Sequence, residues 1–145
     1  MARGFRPMSA CGGRLSSVTA AAGLDVPEGS VEALRAAGAR SAFVHGSRAS
    51  GDSRPDSDWD VAAWWEADPP ASFDVDVPAG VDLLVLNGAP LELAGRVAVH
   101  GRLLFEDDPA ARVRWQATTR KIYFDELPRI RRGHEEFLRS VNQRR

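Results

Sequence analysis

Cysteine is nearly absent. Cys11 stands alone, which excludes an intrachain disulfide, and no Cys/His spacing of a zinc site exists. Long apolar runs are missing too, none approaching the ~20 residues that a membrane-spanning helix needs. Arg3 and Arg6 are not followed by an apolar stretch, so no secretory signal is read there and a cytoplasmic protein is expected. Internal repeats are lacking as well. What remains is the composition of a soluble globular protein, 43% hydrophobic and 27% charged over 145 residues. That length suits one domain with a core and is too short for two generous ones.

The net charge of −1 hides an uneven distribution. Residues 1–50 carry six basic and three acidic side chains, residues 51–108 three and thirteen, and residues 111–145 ten and four. An acidic centre fits a cation site, while the basic tail fits either an anionic partner or a solvated helix face.

Residues 1–27, rich in Ala, Gly, Ser and Arg, read as a disordered or weakly structured extension with at most a short helix around Ser17–Ala22. Ser30 is a candidate N-cap for a helix bearing Val31, Leu34 and Ala37, which Gly38 would end. Ser41–His45 reads as a buried strand entering a Gly-Ser turn, with a new helix or turn starting near Ser47. Asp58–Trp65 is a second strand, and Val81–Leu86 a third, interior one. Between them Phe73–Val77 reads as a weak edge strand. Pro90 opens a helix with Leu91, Ala94 and Val97/Ala98 inward, and Leu103–Phe105 is a short edge strand. Asp108-Pro109 starts a long helix to about Leu127, where Pro128 is expected to interrupt it. Beyond it Ile130, His134, Phe137, Leu138 and Val141 form a second apolar stripe.

The chemistry concentrates between His45 and Ala62. Gly46-Ser47 is followed, after ten residues, by Asp58-Trp59-Asp60. On a strand, the period of two sends both carboxylates to one face and Trp59 to the other, with Cα atoms roughly 6.5–7 Å apart. Such carboxylates can lean together around metal ions about 3.5–4 Å apart, as in two-metal phosphoryl transfer. Oxygen-only ligands favour Mg²⁺. Asp82 is the third candidate: an ionised carboxylate in the run Val81–Leu86 either touches water at the strand's start or joins the other two around metal. The Ser47 hydroxyl and N–H, with the Gly46 backbone, suit the β- and γ-phosphate oxygens of a triphosphate. Asp74 and Asp76 repeat the Asp-x-Asp pattern without a Gly-Ser turn upstream and are set aside as a decoy. Asp52 and Asp56 are assigned to capping the polar turn, and His45 to a structural role on an uncertain face.

Gly46-Ser47, Asp58-x-Asp60 and Val81-Asp82-Leu83-Leu84 together resemble the DNA polymerase β nucleotidyltransferase superfamily, and within it the minimal nucleotidyltransferases (MNT). The likeness covers about residues 30–108. Leu86-Asn87-x-Ala89-Pro90-x-Glu92-Leu93 and Gly101-x-Leu103-Leu104-Phe105-Glu106 are similar to the antitoxins paired with HEPN-domain toxins. The bulk of Trp59, Trp64 and Trp65 departs from that pattern.

The resemblance implies an α+β fold, a small mixed β-sheet flanked by helices with C-terminal helices. It divides the chain into an extension over 1–27, a nucleotidyltransferase core over 28–108 and a helical segment over 109–145. It further implies that Asp58 and Asp60 bind both Mg²⁺ ions, that Asp82 completes the site of the ion activating the nucleophile, and that AMP passes from ATP to a tyrosine hydroxyl of a HEPN toxin.

Little chain is left beyond the core to build a pocket for a small acceptor, which favours a protein one. Trp115, Tyr123, Phe124 and Phe137 then serve either as a docking surface or as core. The competing functions are transfer to a small molecule such as an aminoglycoside, and a non-catalytic antitoxin that acts by binding alone. Direct nucleic-acid binding is not expected from an arginine-rich helix without a recognition motif.

Overall fold

The structure, a computed structural model, describes residues 23–144. The expected helix around Ser17–Ala22 and most of the 1–27 extension lie outside them, whereas Leu24 and Val26 are described and pack against the core. The elements are helix α1 (Ser30–Ala36), strand β1 (Ser41–His45), the single-turn helix α2 (Ser47–Ser50), β2 (Trp59–Trp64), β3 (Val81–Val85), α3 (Leu91–His100), β4 (Arg102–Glu106) and α4 (Pro109–Asn142). The strands hydrogen-bond in the order β3-β2-β1-β4, so β3, expected to be an interior strand, lies at an edge of the sheet, where Val81, Leu84 and Val85 are half-buried. β1 runs antiparallel to both neighbours, and β2 and β3 run parallel, so the sheet is mixed as expected.

β1 lies inside the sheet because Ala42-Phe43-Val44 is apolar on both faces, and all three residues are buried. On one face Val44, Val61 and Leu83 pack with Leu34 of α1 and with Trp65. On the other, Phe43, Ala62 and Leu86 pack beneath Ala94 and Val97 of α3, with Trp64 and Trp115 alongside. The bulky tryptophans are divided between the two faces, Trp59 and Trp65 with the first core and Trp64 with the second. Trp65 is 2% exposed and its indole N–H donates to the Ala37 carbonyl at 2.9 Å. Asn87 brackets the Trp65 backbone, accepting from its N–H at 2.9 Å and donating to its carbonyl at 2.7 Å. One side chain thus extends the β2–β3 pairing past the end of β3.

α3 and α4 approach closely at Gly95, where a Cβ would overlap the Tyr123 ring. Gln116 and Arg120 of α4 both donate to the Ala98 carbonyl, at 2.9 and 2.6 Å.

Four further expectations need correction. Ser30 is the first residue of α1 rather than its cap; its hydroxyl donates to the Pro27 carbonyl at 2.5 Å, and Gly29 takes the cap position. Phe73–Val77 is not a strand: Ser72–Asp74 forms a 3₁₀ turn, after which Val75 is buried in the first core. Pro90 caps α3 rather than opening it. Pro128 does not break the last helix, which runs unbroken over 34 residues, about 51 Å. Pro128 is exposed, so water can reach the Phe124 carbonyl that loses its amide donor. The Asp108 cap is as expected, accepting from the Ala111 N–H at 3.0 Å. From residue 131 to 144 every side chain of α4 and its end is exposed, including Phe137 and Leu138, so among the described residues the second apolar stripe is left uncovered beyond the half-buried Ile130.

Candidate active site

The site begins where β1 ends. Gly46 has φ +68° and ψ −151°, a conformation that side chains exclude. A Cβ there would also run into Oδ2 of Asp60. The turn is therefore laid directly on the Asp60 carboxylate, and glycine is required twice over. The chain then curls into α2, with the Ala49 and Ser50 N–H groups returning to the Gly46 carbonyl at 3.1 and 3.4 Å. The first helical residue is Ser47, half-buried beside the turn.

Strand register assembles the rest. His45 on β1 lies opposite Asp60 on β2, and Asp60 lies opposite Asp82 on β3. Residues opposed across a sheet share a face, so His45, Asp60 and Asp82 form one row across three strands. It is the face of Phe43, Ala62 and Leu84, at the edge of the region that α3 covers. Trp59 goes to the other face and packs against the first core, as alternation requires. Asp58 immediately precedes β2, whose first amide, that of Trp59, donates to the Gly80 carbonyl at 2.7 Å. Asp58 and Asp82 are exposed and Asp60 is half-buried, so the group is open to solvent.

Among the described residues none of these three carboxylates accepts a hydrogen bond or joins an ion pair, although arginines elsewhere pair with Glu92, Glu106 and Asp107. Nor are three His, Cys, Asp or Glu side chains among them gathered tightly enough to enclose a metal ion. Like charges repel, and the backbone places these acids on neighbouring positions without drawing their oxygens together. The donor set fits a hard divalent cation in its chemistry: all-oxygen, anionic, uncommitted and accessible.

His45, expected in a structural role on an uncertain face, faces the acids. Burial pushes its pKa below the ordinary value, and the charges of Asp60 and then Asp82 oppose that shift only in part. Its Nε2 is buried without a partner among the described residues. His45, Gly46 and Ser50 also line a cavity of about 270 Å³ that reaches Leu93, Arg96 and His100 on α3. Of the remaining acids, neither Asp52 nor Asp56 makes the side-chain hydrogen bond expected of it among the described residues. The polar turn is held by Arg48, a residue to which the sequence drew no attention. Asp74 and Asp76 stay apart from the row. Val75 between them and Val77 after them pack on the sheet face opposite to it.

Comparison with known proteins decides the family. The family described as polymerase beta nucleotidyltransferase matches residues 34–110, from α1 to the start of α4. The chain belongs to that family. Solved structures similar in fold include chains of toxin–antitoxin complexes. One complex contains AMP-PNP, and the match has 21% identity and a TM-score of 0.58, covering 74% of this chain and 94% of that one. Another is a MntA–HepT complex (20% identity, TM-score 0.52, 74% and 92% covered). A third, from Shewanella oneidensis, joins a tri-AMPylated HEPN toxin to an MNT antitoxin (20%, 0.52, 74% and 91%). No curated protein matches significantly. Among the described residues no helix is long and apolar enough to cross a membrane.

Proposed function

We propose that this nucleotidyltransferase moves AMP from ATP to a tyrosine hydroxyl of a HEPN-domain toxin and thereby acts as its antitoxin. The observation that carries the reading is the placement of Asp60 directly beside Asp82, with the Gly46-Ser47 turn packed on Asp60. The family supplies the reaction class, and the complexes of similar fold, with AMP-PNP in one and an AMPylated toxin in another, favour ATP as donor and a protein as acceptor.

In this reading the Gly46 and Ser47 backbone and the Ser47 hydroxyl bind the β- and γ-phosphates. Asp58, Asp60 and Asp82 would hold two Mg²⁺ ions, which when bound would supply positive charge that favours the ionised acceptor and offsets charge on pyrophosphate. The acceptor oxygen forms a bond to the α-phosphorus, the α–β anhydride bond breaks, pyrophosphate departs, and the hydroxyl proton passes to solvent. His45, kept neutral by burial, adds no positive charge that would compete for the carboxylates. Its imidazole shapes the wall beside the turn.

The test is incubation of the protein with ATP labelled at the α-phosphate, Mg²⁺ and a HEPN protein encoded beside it. Label on a toxin tyrosine that disappears with Asp58→Ala/Asp60→Ala supports the reading. Toxin neutralised without label would leave antitoxin action by binding alone, and label moving only to small hydroxyl compounds would move the function to that class.

A further inference from the structure

Arg48, the second residue of α2, reaches to the far end of the loop that it begins. Its Nη2 donates to the Ser57 carbonyl at 2.6 Å and to the Pro55 carbonyl at 3.3 Å. Its guanidinium carbon lies 4.5 Å from the centroid of the Trp59 ring. Ser57 and Trp59 are the two neighbours of Asp58, so one side chain touches the chain on both sides of that carboxylate. Asp58 makes no hydrogen bond of its own among the described residues, and neither Asp52 nor Asp56 ties the loop down. Among the described residues the only other side-chain bond within residues 52–57 is the weak one from the Arg54 N–H to the Ser57 hydroxyl, at 3.3 Å.

We propose that Arg48 is a positioning residue for Asp58: by clasping Ser57 and Trp59 it fixes the direction from which that carboxylate joins Asp60 and Asp82 at a divalent cation. This rests on the proposed role of Asp58 as a metal ligand. A plain loop brace is the alternative, and one detail weighs against it. Among the described residues the Arg48 Nε is buried without a partner, an arrangement that a brace selected for stability alone would avoid. The planar fork is what allows a carbonyl contact and ring stacking from one group, so lysine is not equivalent.

The experiment measures Mn²⁺ binding to the nucleotide-free protein by loss of the free-ion paramagnetic signal, together with amide hydrogen exchange. Arg48→Met should weaken Mn²⁺ binding about tenfold and speed exchange in residues 52–57 while β1 and β3 stay protected. Asp58→Asn should weaken binding to a similar extent, and adding Arg48→Met to it should cost little more, because both act through one carboxylate. Arg48→Lys should fall between, and it decides the question by the same measurements if Arg48→Met does not fold. Unchanged Mn²⁺ affinity in the Arg48 variants, with Asp58→Asn weakened, overturns the positioning role alone. Unchanged affinity in Asp58→Asn overturns the assignment of the metal ligand and this inference with it.

Discussion

Asp58-Trp59-Asp60 and Asp74-Val75-Asp76 are the same pattern, two acids around an apolar residue, and both send the apolar residue into the same core. They differ in what stands beside the acids. The first leads into a strand paired on both sides, so Asp60 is flanked by His45 and by Asp82. The second falls on a 3₁₀ turn and the unpaired chain after it. Alternation settles which way a side chain points, whereas strand pairing settles what it meets, and a metal or phosphate site depends on the latter.

The contrast breaks most severely if the row is cut. Asp60→Asn or Asp82→Ala should lower AMP transfer at least about a thousand-fold while the circular dichroism spectrum is kept. Retained activity in Asp82→Ala would mean that the register does not build the site. Gly46→Ala should come next, destabilising the fold by roughly 2 kcal/mol or more in urea denaturation through its backbone conformation and its overlap with Asp60. In an Asp60→Ala background the overlap disappears, so the penalty should shrink; an unchanged penalty would locate all of it in the backbone.

The pH dependence sharpens the comparison at His45. Its folded pKa lies below the ordinary 6.5, so above pH 6.5 both states are neutral and its contribution to stability is complete. As pH falls below that value the unfolded chain takes up the proton first, and stability is lost until the folded value is reached. His45→Gln should flatten this slope in metal-free protein; a slope equal to wild type would place the titration elsewhere. The smallest effect belongs to the second pattern, where Asp74→Ala/Asp76→Ala should leave transfer within about twofold of wild type, as for exposed surface changes.

Much of this was legible along the chain because it is local. The buried run Ala42-Phe43-Val44, the alternation around Trp59 and the Asp108-Pro109 start each announce their element through neighbours a few residues away. Errors came where a local signal was outweighed. Pro128 reads as a breaker, but one lost amide on an exposed face does not end a helix whose first half is held against α3. Phe73–Val77 has strand-forming residues and, among the described residues, no partner strand. Arg48 was overlooked because an arginine in a polar loop is ordinary until its target carbonyls, seven and nine residues away, are seen to return to it.

By itself, then, the order of residues determined β1, β2, the glycine turn and the facing of Asp60, since these follow from backbone sterics and a two-residue period. Folding in three dimensions decided that Asp82 stands next to Asp60, that His45 faces both, and that the Gly46 turn rests on a carboxylate. Those adjacencies depend on how separate strands pair, a choice made by the burial of two apolar faces at once, which no short stretch of the chain encodes alone.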